Sequence, residues 1–449
     1  MFTAALQQAA TTRDVQVGVG ALDALPAVLD RAGLDGPVLV VADENTWRVA
    51  GRRVADLLSA AGRAAEPPVL LPGTPRVKAA AETAQALATS IAGKPARKPI
   101  VPIAVGSGVL NDIVKYAAEL TNRPYVCVPT AASMDGYAAS GAALREGGFK
   151  RTFACAAPRA IVADLDVIAT APPEMAAWGY GDLVGKHVAG ADWVLADALG
   201  LEPINPRPYG MVQDNLADWL ARPAEIRQGD RAALDGLVRG LIMAGLAMQA
   251  HGNSRPASGS DHQFAHLWEM EELSQDGLPV SHGACVGIGC LSMLSAYEWL
   301  LQQDIAAIAP ATLAARQASA ADLRAEIAAA FPLAFMAANA EVETLAKAIS
   351  PEAVETRLRR LQSVWPTLSM RLRTLLPRSA DIRQRLQDVG APAAPAAIGV
   401  ASAQHRADYR RARLIRRRFT ALDLLHDLGW LDRAADAFND KACEQGRAA

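Results

Sequence analysis

The sequence predicts an α/β domain over residues 1–171 followed by an all-helical domain over residues 172–449. Three observations predict this. From Gln16 to about Ala171, short apolar runs alternate with helix-compatible segments, the pattern of a mostly parallel sheet. At the tandem Pro172 and Pro173 the alternation stops, and long helical periods with few β-branched runs follow. Several apolar runs in the first part also end in glycine-rich or polar turns, where a parallel sheet gathers its ligand contacts.

Taken in order, the β-rich runs are VQVGVGAL from Val15, PVLVVADENT from Pro37, PVLLPG from Pro68, PIVPIAVGSG from Pro99, PYVCVPT from Pro124 and AIVADLDVI from Ala160. Between them lie Ala-rich helical stretches such as VAGRRVADLLSAAG and VKAAAETAQALATSIAG. In the second part the helical periods break at Pro203 to Pro208, Arg255 to Ser260 and Gly390 to Pro395, and APAAPAA at 391–397 reads as a loop inside the helical domain. The run GACVGIGCLSMLSAYEWLL carries no charge before Glu298. Its glycines and that early charge predict a buried helix rather than a membrane span.

A chain of 449 residues with 51% hydrophobic content can bury a large core. Lys plus Arg at 45 against Asp plus Glu at 47 leave no global field for nucleic acid. The Arg-rich run HRADYRRARLIRRRFT at 405–420 lacks interleaved stacking aromatics, so it reads as a solvated or subunit-facing helix side. Five widely spaced cysteines, Cys127, Cys155, Cys285, Cys290 and Cys443, without a CxxC pair, fit buried thiols in a reducing compartment. No basic and apolar leader opens the chain, so the expectation is a cytoplasmic protein.

Chemistry concentrates at the strand ends and in three histidine-bearing stretches. Gly106, Ser107 and Gly108 follow a strand and open a helix, where backbone N–H groups and the helix dipole suit a pyrophosphate. Asp43 ends another strand; it either accepts from an adenosine ribose, which would disfavour a 2′-phosphate, or caps the next helix, and the isolated turn favours the cap. In VPTAASMDGYAAS, Thr130 and Ser133 can bond phosphate or nicotinamide groups and Asp135 a substrate hydroxyl, while a turn of small residues with an Asx cap is the plainer alternative. Asp182, His262 and His282 form a donor set suited to Zn²⁺, Ni²⁺ or Fe²⁺ with positions left open for a substrate oxygen. His266 stands four residues after His262, on the same face of a helix.

The combination of TAASMDG, GDLVGK and SGSDHQFAH, together with GSGVLNDIVKYAA and SHGACVGIG, resembles the sn-glycerol-1-phosphate dehydrogenase family. That family lies within the superfamily of metal-dependent alcohol dehydrogenases, glycerol dehydrogenase and 3-dehydroquinate synthase. The likeness spans most of the chain, and the Arg-rich C-terminal part is more similar to bacterial members. It implies an N-terminal nucleotide-binding domain and a helical metal- and substrate-binding domain in a dehydroquinate synthase-like fold, with the active site in the cleft between them. It also implies NAD(H) or NADP(H), one divalent metal, and a homodimer or larger assembly.

Residue by residue, the resemblance puts Gly106, Ser107 and Gly108 on the pyrophosphate motif and Thr130 and Ser133 on the second cofactor motif. Asp135 falls on a substrate-contacting aspartate, Asp182, His262 and His282 on the metal ligands, and His266 on a position that touches substrate or relays a proton. Two departures stand out: Ala139 replaces a common Ser, so a cofactor hydrogen bond from that hydroxyl is either absent or passes to Ser140, and Asp261 replaces a common Glu before the first metal histidine. The implied reaction is reversible reduction of dihydroxyacetone phosphate to sn-glycerol 1-phosphate. Alternatives are a polyol dehydrogenase acting on an unphosphorylated substrate, a lyase similar to 3-dehydroquinate synthase, and a non-catalytic binding protein. Lys115, Lys186 and Arg255 are the cations nearest these motifs in sequence, each equally able to serve in an ordinary ion pair.

Overall fold

The computed structural model describes residues 2–75, 77–93, 97–146 and 149–446. Six strands form one sheet: β1 (Asp14–Gly18), β2 (Val38–Asp43), β3 (Val69–Leu71), β4 (Val101–Gly106), β5 (Val126–Pro129) and, after a hairpin, β8 (Ala160–Asp164). Their order across the sheet is β1-β8-β5-β4-β2-β3, and every pairing is parallel. All six residues of β4 are buried, as are five of the six in β2. Strands covered on both faces need apolar runs rather than alternation, which is why these segments read so plainly in the sequence. The hairpin itself, β6 (Ala142–Glu146) with β7 (Phe149–Phe153), is antiparallel and stands apart from the main sheet. It is an element beyond the six expected strands; its stretch AALRE carries no alternating β-branched signal.

By its internal contacts the chain divides into two compact units. The first comprises residues 1–183, 210–254 and 388–390; the second comprises 184–209, 255–387 and 391–449. The first holds the parallel sheet. It also contains α1 (Gly108–Leu120), which follows β4 directly, and the residues of α3 (Arg231–His251). Helix α2 (Pro173–Ala198) is one uninterrupted helix that contributes residues to both units. The second unit is built on α4 (Ser260–Met270), α5 (His282–Leu300) and α6 (Ser402–Leu414), and its only strand pairing among the described residues is a two-residue ladder between Ser274–Gln275 and Leu278–Pro279. Helices α3 and α5 are long and apolar enough to cross a membrane by length and composition, yet most of each is buried inside the protein.

Glycine decides how closely the helices of the second unit approach. A Cβ on Gly185 of α2 would stand 2.3 Å from an Asp261 carboxylate oxygen, and one on Gly289 of α5 would stand 2.3 Å from the Asp261 carbonyl oxygen. The first turn of α4 is therefore wedged between α2 and α5 at the two glycines of GDLVGK and GACVGIG. That turn is held by Asp192, whose carboxylate accepts from Ser260 N at 2.6 Å, from Tyr297 Oη at 2.6 Å and from Ala421 N at 2.9 Å. Cys127, Cys155, Cys285 and Cys290 are buried free thiols; the side chain of Cys443 lies outside the described residues.

Candidate active site

The loop after β5 is positioned by buried cations and amides from its own unit. Lys115 on α1 donates to the carbonyls of Gly136 at 3.0 Å and Gly141 at 2.9 Å and lies 3.3 Å from Asp112. Gln249 on α3 donates to Ala138 O at 2.6 Å while its own carbonyl accepts from Thr11 N and Thr12 N. Thr130 N donates to Gly106 O at 3.1 Å, joining this loop to the glycine turn, and Ser133 Oγ lies 2.9 Å from Tyr137 Oη. Ser107 sits at the N-cap of α1 in an extended conformation with no side-chain cap, and Met134 covers the turn so closely that a Cβ on Gly108 would stand 2.7 Å from its sulfur. Ala139 is buried where Ser140 is exposed. Asp43 caps its helix: its Oδ1 accepts from Asn45 N and Thr46 N, both at 2.8 Å, in a reciprocal capping box with Thr46.

Asp182 is fully buried on α2, two residues before that helix enters the second unit, and its Oδ2 accepts from Asp135 N at 2.8 Å. His262 and His266 lie one turn apart on α4, and His282 is the first residue of α5, capped by Ser281. Within the second unit, His266, Glu269 and His282 each offer one donor atom, and those atoms lie within 4.8 Å of one another. The imidazole centroids of His262, His266 and His282 are separated by 5.4 to 6.1 Å.

The hydrogen bonds behind these rings set which nitrogen faces the cluster. His262 Nδ1 is 2.7 Å from Asp261 Oδ2, and His282 Nδ1 is 2.9 Å from Glu269 Oε1. With each Nδ1 turned to a carboxylate, Nε2 is the nitrogen left to meet a cation, the arrangement that orients metal-bound histidines and raises their basicity. Asp261 is wholly buried and its other oxygen accepts from Gly259 N at 3.1 Å. Glu269 reaches a second ring as well, its Oε2 lying 3.3 Å from His266 Nδ1. Two carboxylate-backed imidazoles offer nitrogen donors of the kind a divalent cation takes. Burial, and secondarily the charge of Arg416, pushes the pKa of His266 down, so at neutral pH it is an uncharged imidazole.

Sequence reasoning singled out the three donors and His266 but not Glu269. The available signal was spacing: Glu269 falls seven residues after His262 and three after His266, on one stripe of α4. The three cations nearest the motifs are occupied elsewhere. Lys115 holds the loop, Lys186 is fully buried, and Arg255 is fully buried with its guanidinium donating to the carbonyls of Asp192 and Phe419 and pairing with Glu202.

Residues 16–172 match the family model described as iron-containing alcohol dehydrogenase. A glycerol-1-phosphate dehydrogenase [NAD(P)+] of Bacillus velezensis is 37% identical over 287 residues, covering 64% of this chain and 72% of that protein. A protein of the same name from Methanosarcina barkeri is 33% identical over 288 residues, 63% and 76% of the two chains. Among solved structures, glycerol dehydrogenase from Schizosaccharomyces pombe superposes with a TM-score of 0.60 at 15% identity over 96% of this chain and 92% of that one, a likeness of fold.

Proposed function

Because this chain belongs to the glycerol-1-phosphate dehydrogenase family, we propose that it catalyses the metal-dependent, NAD(P)H-linked reduction of dihydroxyacetone phosphate to sn-glycerol 1-phosphate, and the reverse oxidation. The observation that carries this reading is the pair of imidazoles in the second unit whose Nδ1 atoms are turned to carboxylates, His262 to Asp261 and His282 to Glu269; in this reading Asp182 joins them as the third metal ligand. A divalent cation held by these three would polarise the C2 carbonyl and offset the negative charge that develops there as hydride arrives. The residues of the chain supply the rest. Asp261 and Glu269 hold the two imidazoles in the orientation that presents Nε2. His266, with its Nδ1 on Glu269, relays the proton between the substrate oxygen and solvent, outward in oxidation and inward in reduction. Asp135, on the loop fixed by Lys115 and Gln249, accepts from a substrate hydroxyl. The glycine turn from Gly106 to Gly108 receives the cofactor pyrophosphate, and Thr130 and Ser133 bond the cofactor beside it. For Asp43 a ribose contact would have to coexist with the two cap bonds its Oδ1 already accepts.

The test is to strip the purified protein of metal, restore Zn²⁺, Ni²⁺ or Fe²⁺ separately, and follow NADH and NADPH oxidation with dihydroxyacetone phosphate beside unphosphorylated dihydroxyacetone. Metal-dependent turnover that prefers the phosphorylated ketone is the expected result. Turnover confined to the unphosphorylated ketone would instead make the protein a polyol dehydrogenase, and oxidation of neither cofactor with either ketone would defeat the reading.

A further inference from the structure

We propose that Arg416 is the cation that receives the phosphate group of the substrate. The inference rests on the dehydrogenase reading above for the identity of the ligand, and on the C-terminal arginine run for the site. The described arginines of that run are committed, with one exception. Arg406 pairs with Asp436, Arg410 with Asp432, and Arg411 with Glu271 and Asp408; Arg413 lies near Asp423 and Glu326, Arg417 binds Glu343 through both nitrogens and its backbone, and Arg418 donates to Ser258 O. Arg416 makes no hydrogen bond and no ion pair among the described residues, and it is exposed.

Two anchors tie the segment that carries it to α4. Arg411 meets Glu271 just past the C-terminal end of α4, and nine residues later Thr420 Oγ1 donates to Gln263 Oε1 near the start of that helix. The intervening segment leaves α6 at Leu414, and Arg416 falls midway between those two anchors. Its charge acts on His266 and on the carboxylates of Glu269 and Glu343. Both of those carboxylates already have partners, Glu343 in Arg417 and Glu269 in two imidazoles. An exposed arginine with no hydrogen bond or ion pair among the described residues presents a planar fork suited to two phosphate oxygens. The other cations near the motifs, Lys115, Lys186 and Arg255, are buried, the first and last of them bonded to carbonyl groups of the chain.

A phosphate bound there could also belong to the cofactor, so the experiment separates the sources. Full-length, metal-loaded wild type, Arg416→Ala and Arg416→Lys, with Arg410→Ala as a charge-matched control, are titrated with inorganic phosphate, glycerol 1-phosphate and NADH by calorimetry, and their turnover is measured alongside. We expect Arg416→Ala to weaken inorganic phosphate and glycerol 1-phosphate by roughly 10- to 100-fold, Arg416→Lys to recover part of that affinity, and Arg410→Ala to match wild type. NADH affinity stays unchanged in all four proteins. Equal phosphate affinity in wild type and Arg416→Ala, or no phosphate binding by wild type, overturns the proposal whether or not the ketone is reduced. Loss of NADH affinity in Arg416→Ala assigns the arginine to the cofactor and overturns it equally. If wild type reduces only the unphosphorylated ketone, the dehydrogenase reading falls, and the inorganic phosphate titration still decides the role of Arg416.

Discussion

Glu269 shows how much one side chain can decide. Its two oxygens face His282 Nδ1 at 2.9 Å and His266 Nδ1 at 3.3 Å, so it acts at once on a proposed metal ligand and on the proposed proton carrier. In Glu269→Gln one acceptor oxygen becomes an NH₂ donor, and one of the two rings loses its partner. We expect a metal affinity lower by about 10- to 100-fold, read by chelator competition, with the fold retained by circular dichroism; unchanged metal affinity would remove Glu269 from the site. Asp261 does the same for His262 with no room to spare, since Gly185 has its Cα where any added atom would strike the carboxylate. Neither role follows from residue type. Asp182, His262 and His282 stood out in the sequence as candidate donors because Asp and His in such company can bind metals. Glu269 in the sequence is one more acidic residue on a helix, and only its neighbours in space give it a task.

At the scale of elements, the glycines of the second unit belong to helix packing and not to turns. Gly289→Ala places a Cβ 2.3 Å from the Asp261 carbonyl oxygen, a backbone atom that cannot rotate away. The substitution is expected to destabilise by about 1–3 kcal/mol and to loosen metal binding, because the displaced turn carries His262. Gly236→Ala on α3 is the matched contrast: the nearest atom is Trp219 Cα at 3.6 Å, ordinary contact distance. There, gain of helix propensity predicts a change of about 0.5–1 kcal/mol toward greater stability. Urea unfolding of both variants checks the pair, and a stabilised Gly289→Ala would show that α4 is not wedged. The strands were legible for a simple reason: residues buried on both faces of a parallel sheet must be apolar one after another. The hairpin of β6 and β7 escaped because its pairing depends on a loop geometry fixed by Lys115 and not on its own composition.

For the whole molecule, buried histidines predict how the protein responds to acid. His405 is completely buried against Ser292 Oγ at 2.7 Å, and burial pushes its pKa down from 6.5 to about 4; His187 is likewise held at about 4. Between those values the unfolded chain binds the proton and the folded one does not, so stability is full above pH 6.5 and is lost as pH falls toward 4. His405 alone should cost about 2 kcal/mol between pH 7 and pH 5. Thermal unfolding at the two pH values should therefore show a smaller pH-dependent loss in His405→Gln than in wild type, and equal losses would mean that the burial of this ring does not govern acid stability.

The sequence by itself determined the classes of element, a parallel sheet followed by helices, and it marked Asp182, His262 and His282 as candidate donors with His266 as a candidate proton carrier, because burial and metal ligation each demand particular residue types at local spacings. Tertiary structure alone decided the partners. Asp43 is a helix cap, Lys115 a brace for the loop after β5, Arg255 a buried link among carbonyl groups, and Arg416 the one arginine of the C-terminal run with no hydrogen bond or ion pair among the described residues. Those roles depend on which groups long-range packing brings within about 3 Å, and an Asp, Lys or Arg carries the same charge in the sequence whether folding encloses it or leaves it facing a ligand.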